Sequence, residues 1–74
     1  MSKIEFDYSV LRGKIVEKFG TSAEFSKAIG ISPAAMSMKL TNKSSWSREE
    51  ILAACKLLGI EVVDMPRYFF SQKT

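Results

Sequence analysis

Four cations near the middle of the chain are the residues best suited to binding chemistry. No acid occurs between residues 25 and 48, and the charged residues of this stretch are Lys27, Lys39, Lys43 and Arg48. Clustered Lys and Arg side chains attract phosphate groups, and a polyanion that binds them releases its counterions. The alternative is an ordinary solvated face. The confinement of the positive charge to the middle third of the chain favours binding of a polyanion.

The residue types that catalysis and metal binding need are nearly absent. The chain has no histidine and one cysteine, Cys55, so a Cys/His zinc site and an intrachain disulfide cannot form. Without a histidine to activate it, Cys55 is interpreted as a small core residue rather than a nucleophile. We expect no enzymatic activity, no metal, no cofactor and no small-molecule substrate.

Length and composition predict one soluble domain over residues 1–74, with 46% hydrophobic and 26% charged residues. No run of about 18 apolar residues occurs, and the N-terminus lacks the apolar core of a secretory signal. We therefore expect a cytoplasmic protein that does not contact membranes. A chain this short without a disulfide or a metal is marginally stable, which favours dimerisation.

Capping residues predict four helices, because caps act through local hydrogen bonds. The helices are predicted at about 8–19, 22–29 and 33–41 and between Ser47 and Gly59, with Asp7, Thr21, Ser32 and Ser47 as N-caps. The apolar face of the fourth helix consists of Ile51, Leu52, Ala54, Cys55 and Leu58. In the tail, Ile60, Val62 and Val63 fit a loop packed on the core or a short strand, and residues 64–70 fit a final helical turn interrupted by Pro66.

The second and third helices are short and only about three residues apart, with Gly30 at the turn. This spacing predicts a helix-turn-helix unit over residues 21–41, in which the helix at about 33–41 enters the major groove of double-stranded DNA. Phe25 and Met36 are expected to face the core. The predicted fold class is all-α, a compact domain of four to five helices.

The sequence TSAEFSKAIGIS at 21–32 resembles the lambda-repressor-like helix-turn-helix family. ILAACKLLGI at 51–60 is similar to the fourth helix of that family, and FDY at 6–8 and RYFF at 67–70 are similar to its small Cro-like members in phages of Gram-positive bacteria. The resemblance implies a transcriptional repressor that binds a pseudo-palindromic operator as a homodimer. It implies no enzymatic activity.

The resemblance also implies two sets of DNA contacts. The candidates for base contacts are Ser32, Pro33, Ala34, Ser37 and Met38, and the candidates for phosphate contacts are Thr21, Ser22, Lys39, Asn42 and Lys43. The family has an apolar residue where Lys39 stands, so we expect Leu40 to take the core contact and Lys39 to turn outward to DNA.

Two alternatives remain open from the sequence. The predicted recognition helix carries no Arg, Gln or Asn for a bidentate base contact. A protein-binding modulator that contacts another repressor instead of DNA is therefore the alternative function, although interfaces between proteins tend to be depleted in lysine. Near the C-terminus, Tyr68, Phe69 and Phe70 are candidates either for closing the core or for a dimer contact.

Overall fold

Five α-helices follow one another along the described part of the chain. The computed structural model describes residues 5–72, so residues 1–4 and 73–74 of the predicted domain lie outside it. The helices are α1 (Ser9–Phe19), α2 (Ser22–Ile29), α3 (Pro33–Leu40), α4 (Arg48–Leu58) and α5 (Met65–Phe69), and a 3₁₀ turn covers Val62–Asp64. Within residues 5–72 the only β pairing is one isolated bridge between Phe6 and Gln72, so the predicted all-α class is confirmed.

Local capping chemistry sets the beginnings of α3 and α4. The Ser32 hydroxyl accepts a hydrogen bond from the Ala35 amide (3.2 Å), and Pro33 occupies the first turn of α3, where its missing N–H is not needed. At α4, Ser47 Oγ accepts from the Glu50 amide (3.1 Å) and Glu50 Oε1 accepts from the Ser47 amide (2.8 Å). These reciprocal bonds confirm the predicted capping box.

The N-terminus of α1 differs from the prediction by one residue. Tyr8 is the N-cap and makes no side-chain cap hydrogen bond. The Asp7 carboxylate instead accepts from the Ser9 amide (2.9 Å) and the Ser9 hydroxyl (2.7 Å). Asp7 thus bonds two residues ahead, an alternative that a short carboxylate offers beside a helix start.

The tail departs from the sequence prediction at its two valines. Val62 is 68% exposed and Val63 is 79% exposed, so neither packs on the core, whereas Ile60 is buried. Pro66 does not interrupt the final helix, because it lies in the first turn of α5, where no N–H is required.

A single core lies between the helices, with α2 in contact with α1, α3 and α4. Its largest fully buried side chains include Phe25, Phe69, Leu11, Met36 and Leu58. Cys55 is 5% exposed and belongs to this core, where burial raises the pKa of its thiol. None of the described helices is long and apolar enough to cross a bilayer.

The turn between α2 and α3 is fixed by Ser26, which is fully buried. Its hydroxyl donates to the Ala23 carbonyl (2.7 Å), and its own carbonyl accepts from the amides of Gly30 (3.0 Å) and Ile31 (2.9 Å). Gly30 adopts a φ of 82°, a left-handed conformation in which a side chain would be strained.

Asn42 connects the end of α3 to the N-terminal segment. Its side-chain oxygen accepts from the Phe6 amide (2.9 Å), and its side-chain nitrogen donates to the Phe6 carbonyl (2.9 Å). Asn42 has a φ of 67°, a region that asparagine tolerates better than most residues. Asn42 therefore forms the left-handed turn just after α3 and also holds the segment that carries Phe6.

Two substitutions of Asn42 should separate the contribution of its side-chain hydrogen bonds to stability from that of its left-handed backbone conformation. We expect Asn42→Gly to lower the free energy of unfolding by about 1–3 kcal/mol through the lost hydrogen bonds, and Asn42→Ala to lower it by about 1 kcal/mol more through backbone strain. Urea unfolding monitored by circular dichroism measures both. Equal stabilities of the two variants would contradict the strain at this position.

Candidate protein- and nucleic-acid-binding surfaces

The predicted base-contact residues lie together on the outer side of α3. Pro33, Ala34 and Ser37 are exposed, and Met38 is 45% exposed. Ser32 is also exposed, but its hydroxyl is engaged in capping the helix. These residues have small polar or apolar side chains, and none of them is charged. They can offer methyl contacts and one free serine hydroxyl, but no bidentate donor.

Lys39 does not turn outward, which corrects the sequence prediction. Its ammonium lies 2.9 Å from Glu50 Oε1, and the Lys39 side chain is only 12% exposed. The same ammonium donates to the Ser45 carbonyl (2.9 Å) and lies 6.0 Å from the centroid of the Trp46 ring. Leu40 is 5% exposed and takes the core contact as predicted. Lys39 is turned inward because three partners from the next loop and helix converge on it.

The other predicted phosphate contacts are not assembled into one cationic surface. The Asn42 amide group is engaged with the Phe6 backbone, and the Thr21 hydroxyl accepts from the Glu24 amide (3.1 Å) as the cap of α2. Ser22 and Lys43 are exposed and accessible to a ligand.

Ion pairs also engage part of the positive charge that the sequence concentrates in residues 25–48. Lys27 lies 3.6 Å from Glu24 in an exposed pair, and Lys39 is paired as described above. Among residues 5–72, Lys43 and Arg48 are the cations of this stretch whose side chains make no ion pair. The positive field of residues 25–48 is therefore weaker than its sequence indicates.

The aromatic residues near the C-terminus divide between core and surface. Phe69 is 2% exposed and closes the core, Tyr68 is half-buried, and Phe70 is 47% exposed. Phe70 packs edge-on against Phe6, with ring centroids 6.1 Å apart. Phe69 therefore belongs to the core, whereas the dimer contact stays a prediction.

An open apolar groove of about 330 Å³ lies between the beginning of α4 and α5. We call it the aromatic groove, and its lining residues are Trp46, Arg48, Ile51, Leu52, Met65 and Phe70. Leu52 is 49% exposed, so it does not belong to the buried face of α4 that the sequence predicted. The groove escaped sequence reasoning because α5 must fold back to form it. One signal was present: Leu52 lies off the Ile51, Ala54, Cys55, Leu58 spacing that repeats on one helix side.

Trp46 is the centre of this region. It packs edge-on against Phe69, with centroids 5.2 Å apart and an interplanar angle of 78°. A second cavity, lined in part by Phe6 and Tyr8, shares Trp46, Ile51 and Phe70 with the aromatic groove. The Trp46 indole N–H is buried and has no hydrogen-bond partner among the described residues.

Comparisons with known proteins give a family match and a similar solved structure. Residues 4–72 match the family described as "Protein of unknown function (DUF739)". The fold is similar to the solution structure of the modulator of repression (MOR) of the temperate bacteriophage TP901-1 from Lactococcus lactis, with a TM-score of 0.79, 46% sequence identity and 88% of each chain covered. No curated protein matches the chain.

Because Lys39 and Glu50 form an ion pair, we expect part of the protein's stability to depend on pH. Hydrogen bonds from the Ser47 backbone and the Lys39 ammonium lower the pKa of Glu50 below its ordinary value of 4.5. A lowered pKa in the folded state adds stability above the ordinary pKa, and this stability is lost as the pH falls through the folded-state pKa.

We expect Glu50→Gln to lower the free energy of unfolding at pH 7 by on the order of 1 kcal/mol, because glutamine keeps the capping role but not the charge. The difference in the free energy of unfolding between this variant and the unmodified protein should become smaller below pH 4.5. Urea unfolding at several pH values measures it, with the exposed neighbour Glu49→Gln as the matched control. If the free energies of unfolding of Glu50→Gln and the unmodified protein differed by the same amount at pH 7 and below pH 4.5, the ion pair would be contradicted.

Proposed function

This chain belongs to the DUF739 family, and from that premise we propose that it modulates a phage repressor by binding the repressor protein itself. The 46% identity with the modulator of repression of phage TP901-1 supports this proposal. It favours the protein-binding alternative over the DNA-binding repressor that the sequence analysis placed first. The proposed partner is the cognate repressor, meaning the transcriptional repressor encoded by the same phage. We further propose that the protein acts by binding alone, without catalysis.

The aromatic groove is the observation that carries the proposal. Leu52 and Phe70 are about half exposed, at 49% and 47%, and they line the groove together with Trp46 and Met65. Apolar residues that together line an open groove are typical of interaction sites. Trp, Met and Arg are enriched in protein interfaces, and Trp and Arg are among the residues that carry most of the binding energy. The groove combines all three residue types.

The surface of α3 argues in the same direction. A DNA-reading helix needs cations for phosphates and bidentate side chains for bases. Lys39, the cation on α3, is held by Glu50 at 2.9 Å, and the outward residues Ala34, Ser37 and Met38 are uncharged. Affinity and specificity for DNA are both weakened at this surface.

Leu52→Gln should weaken binding of the cognate repressor by at least about tenfold, because it places a polar group where an apolar contact forms. The matched control is Leu57→Gln, the same change on the same helix at a residue that is 38% exposed and does not line the groove. Isothermal titration calorimetry with purified repressor measures both affinities, and circular dichroism checks that both variants fold.

Two outcomes would contradict the proposal. Equal affinities of the Leu52→Gln and Leu57→Gln variants would remove the groove from the interface. Absence of repressor binding by the folded, unmodified protein would refute the modulator function.

DNA binding remains the second candidate function, favoured by the exposed Ser22 at the N-terminus of α2 and by Lys43, which makes no ion pair with another described residue. On this hypothesis Lys43→Ala weakens binding to every duplex and flattens its salt dependence, while Met38→Ala changes the sequence preference. Fluorescence anisotropy with the upstream intergenic DNA and a scrambled duplex, at two salt concentrations, tests it. Negligible binding of the folded protein to both duplexes at low salt would exclude it.

A further inference from the structure

We propose that the aromatic groove takes a partner segment that carries a carboxylate beside its apolar side chains, and that Arg48 is the residue that selects it. This inference rests on the proposed function and names the chemistry of the surface that the repressor would present. It follows from the charges at the groove, from the cations that are already paired, and from the position of Arg48.

Among the described residues that line the groove, Arg48 is the one that is charged. The others are apolar or aromatic, so none of them is an acid that could neutralise Arg48. Arg48 is exposed, and its side chain makes no ion pair within residues 5–72. A guanidinium next to an apolar groove is thus left with its donors available to a ligand.

The two nearby acids on α4 do not satisfy Arg48. Glu50 is occupied by the Ser47 amide and the Lys39 ammonium. Glu49 is the next residue after Arg48, and adjacent side chains on a helix point in different directions. Arg48 is also the first residue of α4, where the helix dipole disfavours a cation. Among residues 5–72 no acid forms an ion pair with Arg48, so its guanidinium is available to a ligand at the groove.

The ligand that matches this surface has an apolar part and an anionic part. Leu52, Met65 and Phe70 provide an apolar contact, and guanidinium pairs with carboxylate through two parallel hydrogen bonds. An amphipathic helix of the repressor with Asp or Glu next to apolar residues meets both requirements. A nucleic-acid backbone meets only the charge, because it has no apolar side chains to fill the groove.

Substitutions that remove or reverse the charge test this pairing. The variants are Arg48→Gln and Arg48→Glu, with Lys56→Gln and Lys56→Glu as matched controls, since Lys56 is exposed on the same helix and does not line the groove. Each pair changes the net charge equally. Affinity for purified cognate repressor is measured by isothermal titration calorimetry at two salt concentrations, after circular dichroism has confirmed folding.

We expect Arg48→Gln to weaken binding by about tenfold and to reduce its salt dependence, Arg48→Glu to weaken it further, and both Lys56 variants to change it by less than about threefold. Wild-type affinity of both Arg48 variants would overturn the carboxylate pairing. If Leu52→Gln still weakened binding in that case, the proposed function would stand and only this inference would fail. Equal losses in the Arg48 and Lys56 variants would overturn it too, because they would indicate net charge rather than a specific pair.

Discussion

The ion pair between Lys39 and Glu50 joins the end of α3 to the first turn of α4, and both candidate surfaces depend on it. The two charged atoms are 2.9 Å apart, and the side chains are 12% and 27% exposed. Solvent screens such a pair less than a surface pair, so geometry and additional hydrogen bonds decide its value. Both are favourable, because Glu50 also caps α4 and Lys39 also donates to the Ser45 carbonyl. The loop between α3 and α4 is therefore held from both ends.

The same contacts position the aromatic residues. Lys39 lies over one side of Trp46, and Phe69 packs edge-on against the Trp46 ring. Phe69 is buried while its neighbour Phe70 is about half exposed, which leaves Phe70 at the edge of the groove. The arrangement of α3, α4 and α5 at this corner follows from packing around one indole.

Local chemistry made much of the fold predictable. Ser32 with Pro33, and Ser47 with Glu50, act within one helical turn, so the sequence alone indicated where α3 and α4 begin. The orientation of Lys39 was not predictable in this way, because Glu50 lies on a different helix and the pairing requires the tertiary fold. The aromatic groove was missed for the same reason, since its two walls come from residues 46–52 and 65–70.

In this fold, Lys39 cannot keep its contacts with Glu50, Ser45 and Trp46 and contact a DNA phosphate at the same time. To reach a phosphate, the Lys39 ammonium would have to leave Glu50, the Ser45 carbonyl and the Trp46 ring. Glu50 would then lose its cationic partner and keep only the hydrogen bond from the Ser47 amide, and removing one partner of a partly buried charge is costly. The proposed binding at the aromatic groove would not break these contacts, because Leu52 and Phe70 are already exposed. The position of Lys39 therefore disfavours contact with a phosphate and agrees with the proposed binding of a protein, within the same helical fold.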